Sequence, residues 1–439
     1  MIKKGKGQEL YEKAKTLIPG GTMLLSKRPE MHLPELWPSY YSAAKGITVT
    51  DLDGREYLDM YIMGIGPNTL GYGHPSVDAA VNQVISKGNM STFNCPEEVQ
   101  LAEKLVELHS WGEMVRFARS GGEANAIAIR IARAASGRDK VAICGYHGWH
   151  DWYMSANIAD DSRLDGHLLP GLQPAGVPRA LMGSTIPFSY NNLDEITEII
   201  KSTPDLGVIK MEVTRNEDPK PGYLEGIRKL CNEHGIVLIF DECTSGFRET
   251  FGGIHLKYGV NPDMCMFGKA LGNGYAITAV LGKKEIMEAA QKTFISSTFW
   301  TERIGPAADL AALEVMEQTK SWDFITTQGI KIRNGWRKLG EENNLVVNIS
   351  GIPALSTYNL ETPQWLEYKT FITQEMLKKG YLAGSSVYTC IKHTDKVIDD
   401  YLEQLEPIFK TIGSYYKNER DISELLEGPK SHGGFKRLN

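Results

Sequence analysis

Six cysteines (Cys95, Cys144, Cys231, Cys243, Cys265 and Cys390) contain no CxxC pair, no apolar run approaches the roughly 20 residues that cross a bilayer, and positive charge is not in excess. The scattered cysteines argue against a paired-cysteine zinc site and a disulfide framework, and they suit a reduced, cytoplasmic setting. With 48 Lys and Arg against 54 Asp and Glu, the net charge of -6 has the wrong sign for a protein whose main partner is a polyanion. No GxGxxG follows a strand-like run, which argues against a dinucleotide site. A Walker A loop is excluded: Ala270 follows Lys269 where Ser or Thr is required, and Asp263 stands where the first Gly should be. The polar, Lys-rich start of the chain leads into no apolar signal segment, so neither export nor membrane anchoring is expected.

What is present is a globular composition, 42% hydrophobic and 23% charged over 439 residues, enough for two domains. Leu10, Ala14, Leu17 and Ile18 recur at helical spacing before Pro19-Gly20-Gly21, predicting a helix over 8–18. Gly46 to Asp59 reads as two strands around an Asp53-Gly54 turn. Between about 94 and 315, helices alternate with continuous apolar runs at Lys140–Cys144, Leu206–Met211, Ile236–Phe240 and Met264–Phe267. Strands buried on both faces need such runs, so an α/β domain with a mainly parallel sheet is expected. Short strands between Val346 and Cys390, a helix over about 365–379 and a closing helix over 395–412 predict a smaller α+β domain. The expected division is an N-terminal segment 1–60 packing with the small domain, a large domain 61–315 and a small domain 316–439. The last dozen residues, 428–439, are polar and Gly-rich and read as frayed.

In open parallel sheets, ligands bind at the carboxyl ends of the strands. Three runs end there in chemistry-bearing residues: at Glu212, at Asp241-Glu242, and at Gly268-Lys269. A carboxylate near a buried amine is either a structural ion pair or a site where Lys269 forms a Schiff base and Asp241 keeps a pyridinium nitrogen protonated. Ser120-Gly121-Gly122-Glu123 opens an Ala-rich helix, and such a turn is either an ordinary cap or a phosphate cradle. Tyr146, after the strand at 140–144, could stack on a flat heterocycle. His147, His150 and Asp151 admit a metal reading, though no further spaced ligand group supports it.

These residues carry a family resemblance. Tyr11 to Gly21, Gly66-Pro67, Gly73-His74-Pro75, Glu113 to Phe117, Ser120 to Ala124, Tyr146-His147-Gly148, Asp241-Glu242, Gly246-Phe247-Arg248 and Gly268 to Gly274 stand in the order of the class III (subgroup II) aminotransferases. Within that family the chain is most similar to the glutamate-1-semialdehyde 2,1-aminomutase branch. The resemblance implies fold type I, the aspartate aminotransferase-like architecture, and pyridoxal 5'-phosphate (PLP) as cofactor. It implies that Lys269 carries PLP and shuttles the reacting proton, that Asp241 partners the pyridinium, and that Cys243 and Tyr146 lie on the two ring faces. Ser120, Gly121 and Gly122 match the phosphate turn. His147, Glu212 and Asn216 fall at cofactor-side positions, and Thr298 lines up with a threonine that reaches the phosphate from the second subunit of a homodimer.

The substrate elements depart from the branch. Lys27 stands in register with its carboxylate-binding arginine and Arg28 one residue late, while Leu382 to His393 is shorter and lacks the branch's carboxylate. The expected reaction is therefore amino transfer from a donor such as glutamate to another carbonyl acceptor, such as a keto sugar or other biosynthetic intermediate. The aminomutase, a racemase or epimerase, and a silent PLP-fold binding protein are the alternatives. Arg119, Arg248 and Arg303 are candidates for the donor carboxylate, and Trp300 and Glu302 for the acceptor pocket.

Overall fold

Apolar runs without alternation need cover on both faces. The computed structural model, which describes residues 2–158 and 173–433, places all four in one sheet. In chain order the strands are β1 (Tyr41–Lys45), β2 (Thr48–Asp51), β3 (Glu56–Met60), β4 (Met114–Ala118), β5 (Lys140–Cys144), β6 (Thr185–Pro187), β7 (Leu206–Met211), β8 (Val237–Glu242), β9 (Met264–Phe267), β10 (Thr278–Gly282), β11 (Val347–Ser350), β12 (Leu355–Leu360), β13 (Tyr381–Ala383) and β14 (Ser386–Tyr388). The first four helices of more than one turn are α1 (Lys6–Leu17), α2 (Pro75–Ile85), α3 (Pro96–Leu108) and α4 (Gly121–Ser136). Two units result, one from residues up to His74 with those from Asp323 onward, the other Pro75–Trp322.

The Pro75–Trp322 unit holds a seven-stranded sheet in the order β4-β10-β9-β8-β7-β5-β6. Strands β5 to β9 pair in parallel, and β10 runs antiparallel to both neighbours. Every residue of β7, β8 and β9 is buried, which explains the unbroken apolar runs. Because these strands are parallel neighbours, their carboxyl ends share one edge. The Ala-rich helix α4 packs Ala124, Ala128 and Ile131 on the sheet face formed by Ile143, Val208 and Ile239. It begins at a capping box, Ser120 with Glu123, and ends where Gly137 adopts φ 66°, a left-handed conformation that favours glycine.

In the other unit, β2 and β3 form the hairpin expected around Asp53-Gly54, with Thr48 opposite Leu58 and Thr50 opposite Glu56. Asp51 Oδ1 fixes the turn by accepting from the amides of Asp53 at 2.8 Å and Arg55 at 2.9 Å. Strand β13 joins β3 in parallel, so the N-terminal segment and the C-terminal third share a sheet. The closing helix runs Asp395–Lys417, beyond the expected end at 412, with Pro407 inside it. The expectation of a frayed tail is corrected for 428–433, while 434–439 lie outside the described residues. Ser431 is buried and its amide donates to Thr370 at 2.9 Å, and the His432 amide donates to the Glu30 carbonyl at 2.7 Å. Docked polar groups of this kind exchange water for internal hydrogen bonds, which a reading of composition alone does not register.

Helix and loop approach very closely at Gly329, where an added Cβ would lie 1.9 Å from the Pro353 carbonyl oxygen. Gly329→Ala is expected to destabilise the protein by about 1–3 kcal/mol through overpacking, read as a lower urea midpoint. An unchanged midpoint would show that this approach relaxes without cost.

Candidate active site

Along the shared strand edge the sequence places a carboxylate after β7, one at the end of β8 and an amine after β9. Asp241, the penultimate residue of β8, is buried and accepts from three sides. His147 Nδ1 lies 2.9 Å and Lys210 Nζ 3.4 Å from Oδ2, and the Cys243 amide donates to Oδ1 at 3.2 Å. Burial alone would raise its pKa, but the Lys210 ammonium and the His147 hydrogen bond hold the carboxyl well below the usual range. Burial, the largest influence on His147, lowers its pKa, against the raising effect of the Asp241 carboxylate beside its Nδ1. Its Nε2 faces the Cys144 carbonyl at 3.2 Å.

Lys269 follows β9 in a left-handed conformation, φ 45°, which is uncommon for a residue with a side chain. Its Nζ donates to Thr244 Oγ1 at 2.7 Å, a neutral hydroxyl rather than a carboxylate. Burial, then the nearby charges of Arg215 and Arg248, lower its pKa from the ordinary lysine value to about 8. Thr244 lies three residues beyond Asp241 on the loop leaving β8, so the amine and the carboxylate belong to one cluster. Cys243 is partly buried there, and a Cβ on Gly268 would come 3.5 Å from its Sγ.

Glu212 follows β7 and is buried; its Oε2 accepts from the Tyr146 amide at 3.0 Å, and Arg215 donates to it at 3.4 Å. The Arg215 guanidinium also lies 5.9 Å above the Tyr146 ring. A cavity of about 320 Å³ opens beside this group, lined by Gly145, Ser189, Tyr190, Glu212, Arg215 and Asn216 among others.

At the start of α4, the first-turn amides have no partner within the helix. The Ser120 hydroxyl is committed to the cap, donating to Glu123 Oε2 at 3.1 Å. A Cβ on Gly122 would lie 2.6 Å from the His150 ring, and one on Gly148 would lie 3.2 Å from Gly122 Cα. The turn after β5 therefore closes directly over the helix start, and His150 Nδ1 is buried there with no partner among the described residues. Glycine at 122 is what permits that approach.

Thus Asp241, His147, Cys243 and Lys269 are brought together, with Glu212 and Tyr146 alongside and Gly121 and Gly122 at the adjoining helix start. Asn216 is exposed at the cavity rim, and Thr298 is exposed on the turn Thr298–Thr301 with no hydrogen bond to the cluster. The three candidate arginines are already engaged. Arg119 pairs with Glu302 at 2.8 Å, Arg303 with Glu97 at 2.5 Å, and buried Arg248 donates to the Thr244 carbonyl at 2.6 Å. Glu302 also caps the helix Ile304–Thr319, and Trp300 donates to Glu123 at 3.1 Å, so both are used structurally. Among the described residues, His147, His150 and Asp151 do not form a metal-ligand group; the one such group is Glu242, His255 and Cys265. There His255 already faces Glu242 at 2.5 Å and accepts from Trp111 at 2.9 Å. Sequence reading missed Lys210, Thr244 and Arg215. Only Arg215 carried a signal, a cation three residues after Glu212.

A mixed, mainly parallel sheet with this edge cluster is the architecture of the fold type I transferases. The chain belongs to the class-III aminotransferase family, which matches residues 34–407. It is 34% identical over 414 residues to the 3-aminobutyryl-CoA aminotransferase of Cloacimonas acidaminovorans (strain Evry), covering 90% of this chain and 94% of that protein. Its fold is similar to the PLP form of the Sphingopyxis sp. MTA144 FumI protein, with TM-score 0.85, 23% identity, and 96% and 100% of the two chains covered. It is also similar to a glutamate-1-semialdehyde aminomutase from Pseudomonas aeruginosa PAO1, with TM-score 0.76, 20% identity, and 92% and 94% covered.

In protein free of cofactor, labelling of Lys269 by an amine reagent is expected to rise with a midpoint near pH 8, followed by mass spectrometry of its peptide. Arg215→Gln removes a repelling charge, so the midpoint moves up toward the ordinary lysine range. Identical midpoints in the two proteins would contradict the electrostatic role of Arg215.

Proposed function

We propose that this aminotransferase uses PLP, held at Lys269 and Asp241, to move an amino group from an amino-acid donor, glutamate, to a carbonyl acceptor such as a keto sugar or other biosynthetic intermediate. The observation that carries the reading is an amine lowered to about 8 and a carboxylate held ionised at the ends of the neighbouring strands β9 and β8. When bound, PLP supplies a carbonyl carbon for amine exchange and a ring that draws electrons from the reacting Cα.

The protein's residues supply the rest. An amine with a lowered pKa is unprotonated in a useful fraction near neutral pH, so Lys269 Nζ can act as nucleophile and then hold or return a proton. Thr244 Oγ1 orients that nitrogen. Asp241, its carboxylate fixed by His147, would accept from a protonated ring nitrogen. Tyr146 and Cys243 would bound the ring faces. The amides of Gly121 and Gly122 at the α4 start, with the positive end of the helix dipole, would hold the phosphate. The buried, unpartnered His150 Nδ1 beside Gly122 suits an anionic neighbour. Glu212 and Asn216, which line the cavity, would face the cofactor, and the cavity's polar lining, with Ser189, Tyr190 and Glu217, suits a hydroxylated acceptor.

The reading includes a cytoplasmic homodimer with shared sites, in which the partner subunit's Thr298 completes the phosphate cradle. Exposed Phe93, Phe294 and Phe299 support it, since apolar side chains so open to water favour an interface. Among the described residues no helix is long and apolar enough to cross a membrane.

The visible absorption of the PLP-loaded protein is expected to disappear when glutamate alone is added, and to return with a suitable carbonyl acceptor. If no amino acid alone changes the absorption, the aminomutase or racemase reading takes its place. A protein that takes up no PLP would overturn both.

A further inference from the structure

Strand β7 reads Leu206-Gly-Val-Ile-Lys-Met211, and all six residues are buried. A strand covered on both faces has no polar side for a lysine to occupy, yet Lys210 is fully buried within it. Across the sheet Lys210 pairs with Ile239, which lies on the same face of β8 as Asp241 two residues on; Asp241 pairs in turn with Met266 of β9. The lysine side chain therefore runs along this face toward the carboxylate. Its Nζ stops 3.4 Å from Asp241 Oδ2 and 2.9 Å from Met266 Sδ.

The remaining surroundings are apolar. Ile143, Val208, Ile239 and Met264 lie on the same face, and α4 adds Ala124, Ala128 and Ile131, none of them titratable. The titratable groups near the pair are His147 from the loop after β5, Glu212 at the end of β7, Cys243 and Cys265, with Lys269 beyond Cys243. A buried ion pair of this kind is no better for stability than apolar packing, so its presence calls for another account. Asp241 carries one negative charge, and Lys210 already matches it from beneath the site. A protonated ring nitrogen would be a second cation on the same carboxylate.

Resting on the reading that Asp241 faces the ring nitrogen of PLP, we propose that Lys210 is a positioning residue that sets how tightly that nitrogen holds its proton. By pairing with Asp241 from the α4 side, it weakens the carboxylate's grip, and the ring proton is released at lower pH than it would be above an apolar residue. Lys210 touches neither substrate nor ring in this account; it acts through Asp241.

The test uses the PLP-loaded enzyme without substrate, reconstituted with cofactor labelled with nitrogen-15 in the ring. The ring-nitrogen resonance is followed against pH in the wild type and in Lys210→Met, which keeps length and volume. The expected result is a protonation midpoint higher in Lys210→Met by about one pH unit or more, a tenfold change in proton affinity. Lys210→Arg, which keeps the charge, is expected to titrate close to the wild type. Coincident midpoints in the wild type and Lys210→Met would overturn the proposal and leave Lys210 a structural pair. The wild type alone provides a second reading should the variants fail to fold: a ring nitrogen protonated up to the pH of denaturation would also overturn it. A wild-type protein that binds no PLP is a different failure, that of the proposed cofactor.

Discussion

The buried carboxylate of Asp241 is the constraint around which the large unit is arranged. A carboxylate removed from water must be matched by donors, and here they come from three separate pieces of chain: the loop after β5, the interior of β7 and the turn after β8. Parallel pairing is what lets such distant residues meet, because β5, β7, β8 and β9 deliver their carboxyl ends to one edge. The same edge receives Lys269, whose burial and neighbouring Arg215 and Arg248 charges leave its proton loosely held, with a hydroxyl instead of a carboxylate as its hydrogen-bond partner. One strand order thus sets two opposite electrostatic environments side by side.

The α4 start adds the third component by close approach of backbone. Gly122 admits the His150 ring where a Cβ would collide, and Gly148 lets the turn after β5 pass over the helix. Capping by Ser120 and Glu123 fixes the helix start without consuming every first-turn amide. Anchoring of Glu123 by Trp300 then ties this turn to the segment that carries Thr298.

Much of this is legible in the sequence. Continuous apolar runs located β5, β7, β8 and β9, because burial on both faces leaves so direct a mark, and the Ala-rich run with Gly137 located α4. Strand β6, only three residues long, and β10, Thr278–Gly282, were not anticipated, since neither presents a run distinct enough from its surroundings. In the cluster, residues at strand ends were readable from position and from family resemblance. Lys210 was hidden because it sits inside an apolar run, where a single lysine reads as tolerated polarity. Arg119 and Arg303 misled in the opposite direction. An arginine's availability depends on its partner, and Glu302 and Glu97 are recognised as partners only when the chain is folded. The tail at 428–433 shows the same blindness, as composition does not reveal that Ser431 has a buried hydroxyl waiting at Thr370.

We propose that Lys269, of all the lysines in the chain, bears the cofactor. This is tested most directly by borohydride reduction of the PLP-loaded protein followed by peptide mapping. The account predicts that the phosphopyridoxyl group is recovered on Lys269 and is absent when Lys269→Ala is treated in the same way. Recovery on another lysine, Lys210 included, would contradict it.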